Sequence, residues 1–261
     1  MSSCNLSVFK VFLILSALTF HSCVNYSSIY PTEKVRNPAS ATSFFLEQEI
    51  AANSFIASGT ISYSKKMRFD EGNFFAVGTL NPLKLKLEVT HPLGGDIMHV
   101  LLDENHIEVV SFRERKVYSS KYDEYLNIKN SFFADPSIAW YIFRGFPRLL
   151  PYKYSYVEDN NKFSLLGNNS VLIQTITLEE GRMVPVSVGY DNIGITVDTE
   201  DFTNHGNIFY ASSIKIASEN TDERIEIKFK RLEFNLSIMR GIFTITFPPG
   251  FPILPFHMDF P

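Results

Sequence analysis

The chain has 261 residues, of which 45% are hydrophobic and 20% charged. That is enough to bury a full core as one domain or two small ones. A formal charge of −4 leaves no basic footprint and argues against nucleic acid as a main partner. Beyond the N-terminus no apolar run reaches about 18 residues, so the body of the chain does not cross a membrane as a helix.

The chain opens with a segment of export type. Lys10 precedes an apolar stretch from Val11 to Phe20 that has the length of a signal-peptide core and is short for a bilayer span. It ends in Phe20-His21-Ser22-Cys23, a small residue directly before a cysteine, which resembles the bacterial lipobox. Lipoboxes usually carry Leu and a small residue where Phe20 and His21 stand. The chain has two cysteines, Cys4 and Cys23. Cleavage before Cys23 would discard the first and leave a lone thiol at the new N-terminus, where lipid attachment is its natural use. An ordinary secretion signal beside a chance cysteine is the alternative. With about 0.8 kcal/mol per buried methylene, two or three acyl chains would hold the protein on a membrane almost irreversibly. Val24 stands where Asp often marks inner-membrane retention, which points to the outer membrane.

Residues 24–40 lack periodicity, carry Pro31 and Pro38, and read as a tether. The expected organisation is a signal peptide over 1–22, a tether over 23–40, a domain over 41–247 and a Phe/Pro-rich tail over 248–261. Ser40 or Thr42 is a candidate N-cap for a helix of about three turns ending near Asn53, with Phe44, Phe45, Ile50 and Ala51 on one face. Strand then follows strand. Leu83, Leu85, Leu87 and Val89 alternate with Lys84, Lys86, Glu88 and Thr90, the period-two pattern of a sheet with one wet face. Similar runs cover 55–64, 73–80, 96–103, 106–112, 170–178, 183–190, 193–199, 207–217 and 223–238. In the last, the alternation slips by one residue, which predicts a bulge near Lys230 and Arg231. Residues 121–152 break the pattern. There Asp135 caps a helix opened by Pro136 and stopped by Gly145 and Pro147, with Ile138, Tyr141 and Ile142 on one face and Trp140 near its edge.

No GxSxG, P-loop, GxGxxG or HExxH motif occurs. His91, His99 and His106 are close in sequence but fit no zinc spacing, and the acid-rich stretch near Asp201 lacks the glycine and closing glutamate of a calcium loop. No metal, no cofactor and no enzymatic activity are expected.

The order of elements is distinctive. An anchor cysteine, a tether, a helix, "KLKLEVTHPLGGDIMHVLL" and then "DPSIAWYIFRGFP" resemble LolB, the outer-membrane lipoprotein receptor of the LolA/LolB localisation family, over roughly residues 40–236. The match is strongest at the Pro-Leu-Gly turn between two strands. Family members end the helix in Gly-x-Pro, as Gly145-Phe146-Pro147 does, but their tryptophan lies three residues before that glycine and Trp140 lies five before.

The resemblance implies a mainly β fold: a half-open antiparallel β-barrel of about eleven strands, with a helical lid enclosing a hydrophobic cavity. It implies a monomer, anchored on the periplasmic side of the outer membrane. Such a protein takes the acyl chains of lipoproteins from a LolA-like periplasmic carrier and places them in the outer-membrane inner leaflet. Phe75, Val77, Leu85, Leu87 and Trp140 are the expected cavity lining. The 24 phenylalanines suit flexible acyl chains, although any large β domain needs big apolar residues. The loop Pro92, Leu93, Gly94, Gly95 becomes the expected membrane-inserting element. Pro92 stiffens its start and the glycines permit a tight turn that pushes Leu93 outwards. A leucine folded back onto its own domain is the alternative. Other readings are a lipoprotein of the same fold that binds another lipid or serves envelope assembly, and a structural lipoprotein that docks a protein partner.

Overall fold

The structure is a computed structural model that describes residues 38–121, 135–159, 161–218 and 222–255. The expected signal peptide, Cys23, the expected tether up to residue 37 and residues 256–261 of the expected tail lie outside the described residues. Among the described residues two α-helices, α1 (Pro38–Ala51) and α2 (Pro136–Phe143), accompany one large sheet that is antiparallel but for its last strand. Its first six strands are β1 (Ser54–Lys65), β2 (Arg68–Thr79), β3 (Lys84–Thr90), β4 (Asp96–Asp103), β5 (His106–Ser111) and β6 (Lys116–Lys121). After α2 come β7 (Tyr154–Asp159), β8 (Lys162–Leu166), β9 (Leu172–Leu178), β10 (Pro185–Tyr190), β11 (Ile195–His205), β12 (Ile208–Ser218) and β13 (Glu223–Phe234). A short β14 (Ile253–Leu254) ends the series.

The sheet is two meanders joined where β13 returns beside β1, in the order β14-β6-β5-β4-β3-β2-β1-β13-β12-β11-β10-β9-β8-β7. It is curved and unclosed, so β14 and β7 are its two edges. The half-open antiparallel architecture expected from the sequence is therefore present, with fourteen strands among the described residues where about eleven were expected. The missed strands β6, β7 and β8 are only five or six residues long. Their alternation is too brief to stand out beside the helical interruption.

The slip in β13 is real. Ser58 pairs with Arg231 and Gly59 with Phe229, which leaves Lys230 as the extra residue. Gly59 is required opposite it, because a Cβ there would collide with the Lys228 carbonyl and come within 2.9 Å of the Phe74 ring.

The helix α1 starts at Pro38, inside the expected tether, so Ser40 and Thr42 are helical residues and not caps. The Thr42 hydroxyl donates to the Ala39 carbonyl (3.1 Å). Its buried face is Ala41, Phe44, Phe45 and Gln48. Ile50 is 73% exposed, a correction to the expected face. The buried stripe uses i, i+3, i+4 and i+7, and Ile50 falls off it.

The chain after β13, including the start of the expected tail, also joins the fold. Ser54 Oγ donates to the Leu236 carbonyl (2.8 Å), Lys84 Nζ lies 5.8 Å from the Phe243 ring, and the Phe251 ring lies 6.0 Å from Phe112. Ile253 and Leu254 then pair parallel with Val117 and Tyr118, covering the β6 edge. A capped edge removes a template for pairing with other chains.

Candidate functional site

The inner face of the sheet is built by size complementarity between β1 and β2. Phe55 faces Gly78, Ala57 faces Ala76, and Gly59 faces Phe74 across the two strands. Alternation then sends Phe75 and Val77 to the outer face. Phe75 is 37% exposed, and Val77 is buried apart from the central core. Neither lines the interior, which corrects two of the expected lining residues. The run Asn73–Leu80 has a phenylalanine at both parities, and its hydrophobicity alone selects the wrong one. Leu85, Leu87 and Trp140, expected to line a cavity, are buried in the central core.

The small residues form a trough, and α2 lies in it. A Cβ on Gly78 would come within 2.6 Å of the Trp140 indole nitrogen. The Trp140 ring packs edge-on against Phe55 at 5.3 Å and Phe143 against Phe74 at 5.6 Å. All eight positions of the helix except Ser137 are buried. Trp140 is thus central to the packing, not near the edge of a single apolar face. A helix that is apolar all round belongs inside a core. Just past it, Phe146 meets Phe45 at 5.1 Å and Phe44 at 6.1 Å, tying α2 to α1.

Polar bonds latch this arrangement at both ends. At the N-terminus Asp135 caps α2 by accepting from the Ser137 N–H (2.8 Å) and pairs with the Arg148 guanidinium (3.4 Å). At the other end Gly145, at φ +84°, turns the chain so that its carbonyl accepts from the Ala211 N–H of β12 (2.8 Å). The Gln48 amide bridges α1 to β12, donating to the Asn207 carbonyl (3.0 Å) and accepting from the Phe209 N–H (2.8 Å). Glu49 accepts from the Leu149 N–H (3.1 Å). Burial raises the Glu49 carboxyl above its ordinary range, against the pull of that bond and of Arg148 and Arg144.

Arg144 is the least satisfied group in the site. It is fully buried, donates through Nη2 to the Gln48 carbonyl, and lies 5.2 Å over the Phe146 ring. Among the described residues its Nε and Nη1 have no hydrogen-bond partner, nor has Trp140 Nε1. Desolvation lowers the Arg144 pKa to about 10, although the charges of Tyr141 and Glu49 oppose the shift. Each buried donor without a partner costs about 1–3 kcal/mol, more on a charged group. The seat of α2 is therefore apolar and close-fitting, but its latch leaves buried donors unpaired among the described residues. Residue type does not reveal this, since Arg, Gln and Glu are mostly exposed in folded proteins and the burial of Arg144 and Gln48 comes from tertiary packing.

The expected membrane loop is well defined. His91 accepts at its carbonyl from the Gly94 N–H (2.8 Å) and at Nδ1 from the Leu93 N–H (3.2 Å), while its own N–H reaches the Gly95 carbonyl (2.9 Å). Gly94 and Gly95 both have positive φ, near +95° and +92°. Leu93 stands 92% exposed and is not folded back onto the domain. The nearby histidines have local partners. His99 approaches Asp96 at 3.4 Å, and His106 Nε2 bonds the Ser119 hydroxyl at 2.9 Å. No group of three potential metal ligands occurs among the described residues.

No protein-family model matches the sequence, and no curated protein resembles it. Solved structures do. A DUF1329 family protein from Desulfovibrio piger superposes with a TM-score of 0.54 at 9% identity, covering 79% of this chain and 96% of that one. A putative outer membrane lipoprotein-sorting protein domain from Vibrio parahaemolyticus gives 0.53 at 9% identity, covering 79% and 97%. A LolA superfamily protein from Nitrosomonas europaea gives 0.51 at 15% identity, covering 78% and 97%. At these identities the likeness concerns the backbone: the chain has the open-barrel fold of LolA-superfamily proteins.

Proposed function

We propose that the protein is a lipid-anchored receptor, not an enzyme, that holds the acyl chains of lipoproteins inside its open sheet. It receives them from a LolA-like periplasmic carrier and passes them to the inner leaflet of the outer membrane, to which Cys23 ties it. One observation carries the reading: α2, apolar on every face, fills a trough of glycine and alanine in an unclosed sheet and is held by a latch with unpaired donors. Such a helix is a plug that an acyl chain can replace.

The magnitudes allow the exchange. Burying the five large apolar side chains of α2 is worth about 1.5–3 kcal/mol each, so roughly 7–15 kcal/mol in all. A fatty chain of about sixteen carbons gains about 12 kcal/mol at about 0.8 per methylene. The two sums are comparable, so entry of a chain and departure of the helix nearly balance. Small differences in affinity then set the direction of transfer, and no nucleotide is needed. Release is assisted at the membrane by Leu93.

The test is a transfer assay in which a carrier loaded with an acylated lipoprotein is mixed with this protein and cargo on each is measured. Cargo should move to this protein and onwards to vesicles. The same close-fitting seat favours one competing reading, in which α2 is permanent core and the protein is a structural lipoprotein docking a partner. In that case no cargo leaves the carrier.

A further inference from the structure

The turns at the two ends of the sheet differ in chemistry. At one end lie the β1–β2 turn, the Leu93 loop between β3 and β4, and the β5–β6 turn, as the register requires: Lys65 pairs with Arg68, Thr90 with Asp96 and Ser111 with Lys116. At the opposite end the segment just past β13 exposes Leu236 and Met239, but the acidic turns there, Asp103-Glu104-Asn105 and Glu179-Glu180-Gly181, hold none of the exposed large apolar residues. Turns of the Leu93 end do. Met67 is 104% exposed and Phe69 63% exposed, both on the β1–β2 hairpin.

On one side this hairpin runs past its neighbour β3, while on the other β13 stays paired with β1 as far as Lys65 opposite Glu223. The β2 strand pairs with β1 from Arg68, but with β3 only from Asn73. Five residues therefore run past the last β3 partner, about 17 Å at 3.3–3.4 Å per residue. The tip is tied into the rim, since Asp70 accepts from Arg68 (2.7 Å) and from Arg113 of the β5–β6 turn (3.2 Å). The carboxylates near the tips are largely engaged: Asp70 by those two arginines, Glu223 by Lys65 (2.6 Å) and Glu114 by the Tyr118 hydroxyl (2.5 Å). Asp96 faces His99, while Glu71 and Asp222 remain toward solvent. Lys66 and Arg115, at the tips of two turns with φ near +53° and +58°, are exposed and carry no carboxylate partner among the described residues.

We propose that Met67 and Phe69 form a second membrane-inserting finger beside Leu93, with Lys66 and Arg115 at the level of the lipid headgroups. The occupant of this edge is a phospholipid bilayer. Exposed apolar tips flanked by free cations are the arrangement of interfacial membrane anchors, in which side chains enter the acyl boundary and basic groups stay with phosphate. Two separated points of insertion fix the tilt of the sheet on the membrane, which one leucine cannot do. The 14 residues from Cys23 to the start of α1 reach at most about 50 Å, enough for the tethered domain to turn this end to the bilayer. The inference rests on the proposed membrane delivery and deepens it.

The full-length protein is reconstituted in vesicles of phosphatidylethanolamine and phosphatidylglycerol. An environment-sensitive dye is placed at Met67→Cys, Phe69→Cys or Leu93→Cys, with Asn105→Cys at the far end as control. Quenching by doxyl-labelled lipids is read. Positions 67, 69 and 93 should be quenched and position 105 should not. Combining Lys66→Glu with Arg115→Glu should weaken quenching at 67 by roughly fivefold per charge. Quenching at 93 alone overturns the second finger and leaves the proposed delivery function standing. No quenching at any position overturns both. Shielding of the dyes only when carrier protein is added makes this end a protein interface and overturns the proposal.

Discussion

The indole of Trp140 rests on Gly78, so closely that a single added carbon would reach within 2.6 Å of its nitrogen. Gly78 faces Phe55 on the neighbouring strand, and the same Phe55 ring packs edge-on against the indole. Helix and sheet therefore share one fit, and Gly78→Val should break it. The expected loss is about 1–3 kcal/mol of stability, as for other overpacked cores. Trp140 is the single tryptophan, so denaturation followed by its fluorescence measures both effects, and its emission should shift to the red before global unfolding. An unchanged spectrum with unchanged stability would place the helix elsewhere.

Arg144 separates packing from charge. Two of its donors have no partner among the described residues. Arg144→Met keeps most of the volume and removes the buried charge, so stability should be unchanged or higher by about 1–4 kcal/mol. Arg144→Ala leaves a cavity and should cost about 2–5 kcal/mol. Urea midpoints of the two variants check this. If methionine and alanine are equally destabilising, the guanidinium has partners that matter.

Glu49 gives the latch a pH dependence. Its carboxyl is raised chiefly by burial, so the folded state favours the protonated form. The stability linked to this proton is fully present below the ordinary value of 4.5 and is lost as pH rises through the raised one. Glu49→Gln keeps an acceptor for the Leu149 N–H and should flatten that part of the profile. Melting temperatures of both proteins between pH 4 and 7 are the measurement. Parallel curves would count against it.

Much of this fold is legible in the sequence because period-two alternation is a local signal. The run at Leu83–Thr90 and the one-residue slip at Lys230 both reappear in the register. The position of α2 is legible only in part. Asp135, Pro136 and Gly145 mark its ends, but its all-round burial depends on glycines and alanines of β1 and β2 that are far away in the sequence. The wrong parity for Phe75 has the same origin, since Ala76 and Gly78 look like gaps in a hydrophobic strand until a helix is seen to need the space. Gln48, Glu49 and Arg144 could not be read at all. Each is an ordinary surface type whose burial comes from tertiary packing.

Leu93 bears on delivery. Its insertion would contribute about 1.5–3 kcal/mol, enough to orient a tethered domain. Leu93→Glu should slow cargo transfer from this protein to vesicles by about tenfold or more, since a charge replaces the buried leucine. Uptake from the carrier should be unaffected. The two half-reactions, measured separately, decide the matter: loss of both would mean a folding defect, and loss of neither removes the finger.

The replacement of α2 by fatty chains is tested most directly by titrating the protein with a fatty acid or lipopeptide bearing a doxyl group while watching Trp140. Saturable quenching, together with a red shift when the unlabelled ligand is used, is the expected result. It would mean that the chain enters the trough and the helix leaves it. A tryptophan that stays blue and unquenched through the whole titration, in a protein that remains folded, would mean that the trough belongs to the helix alone.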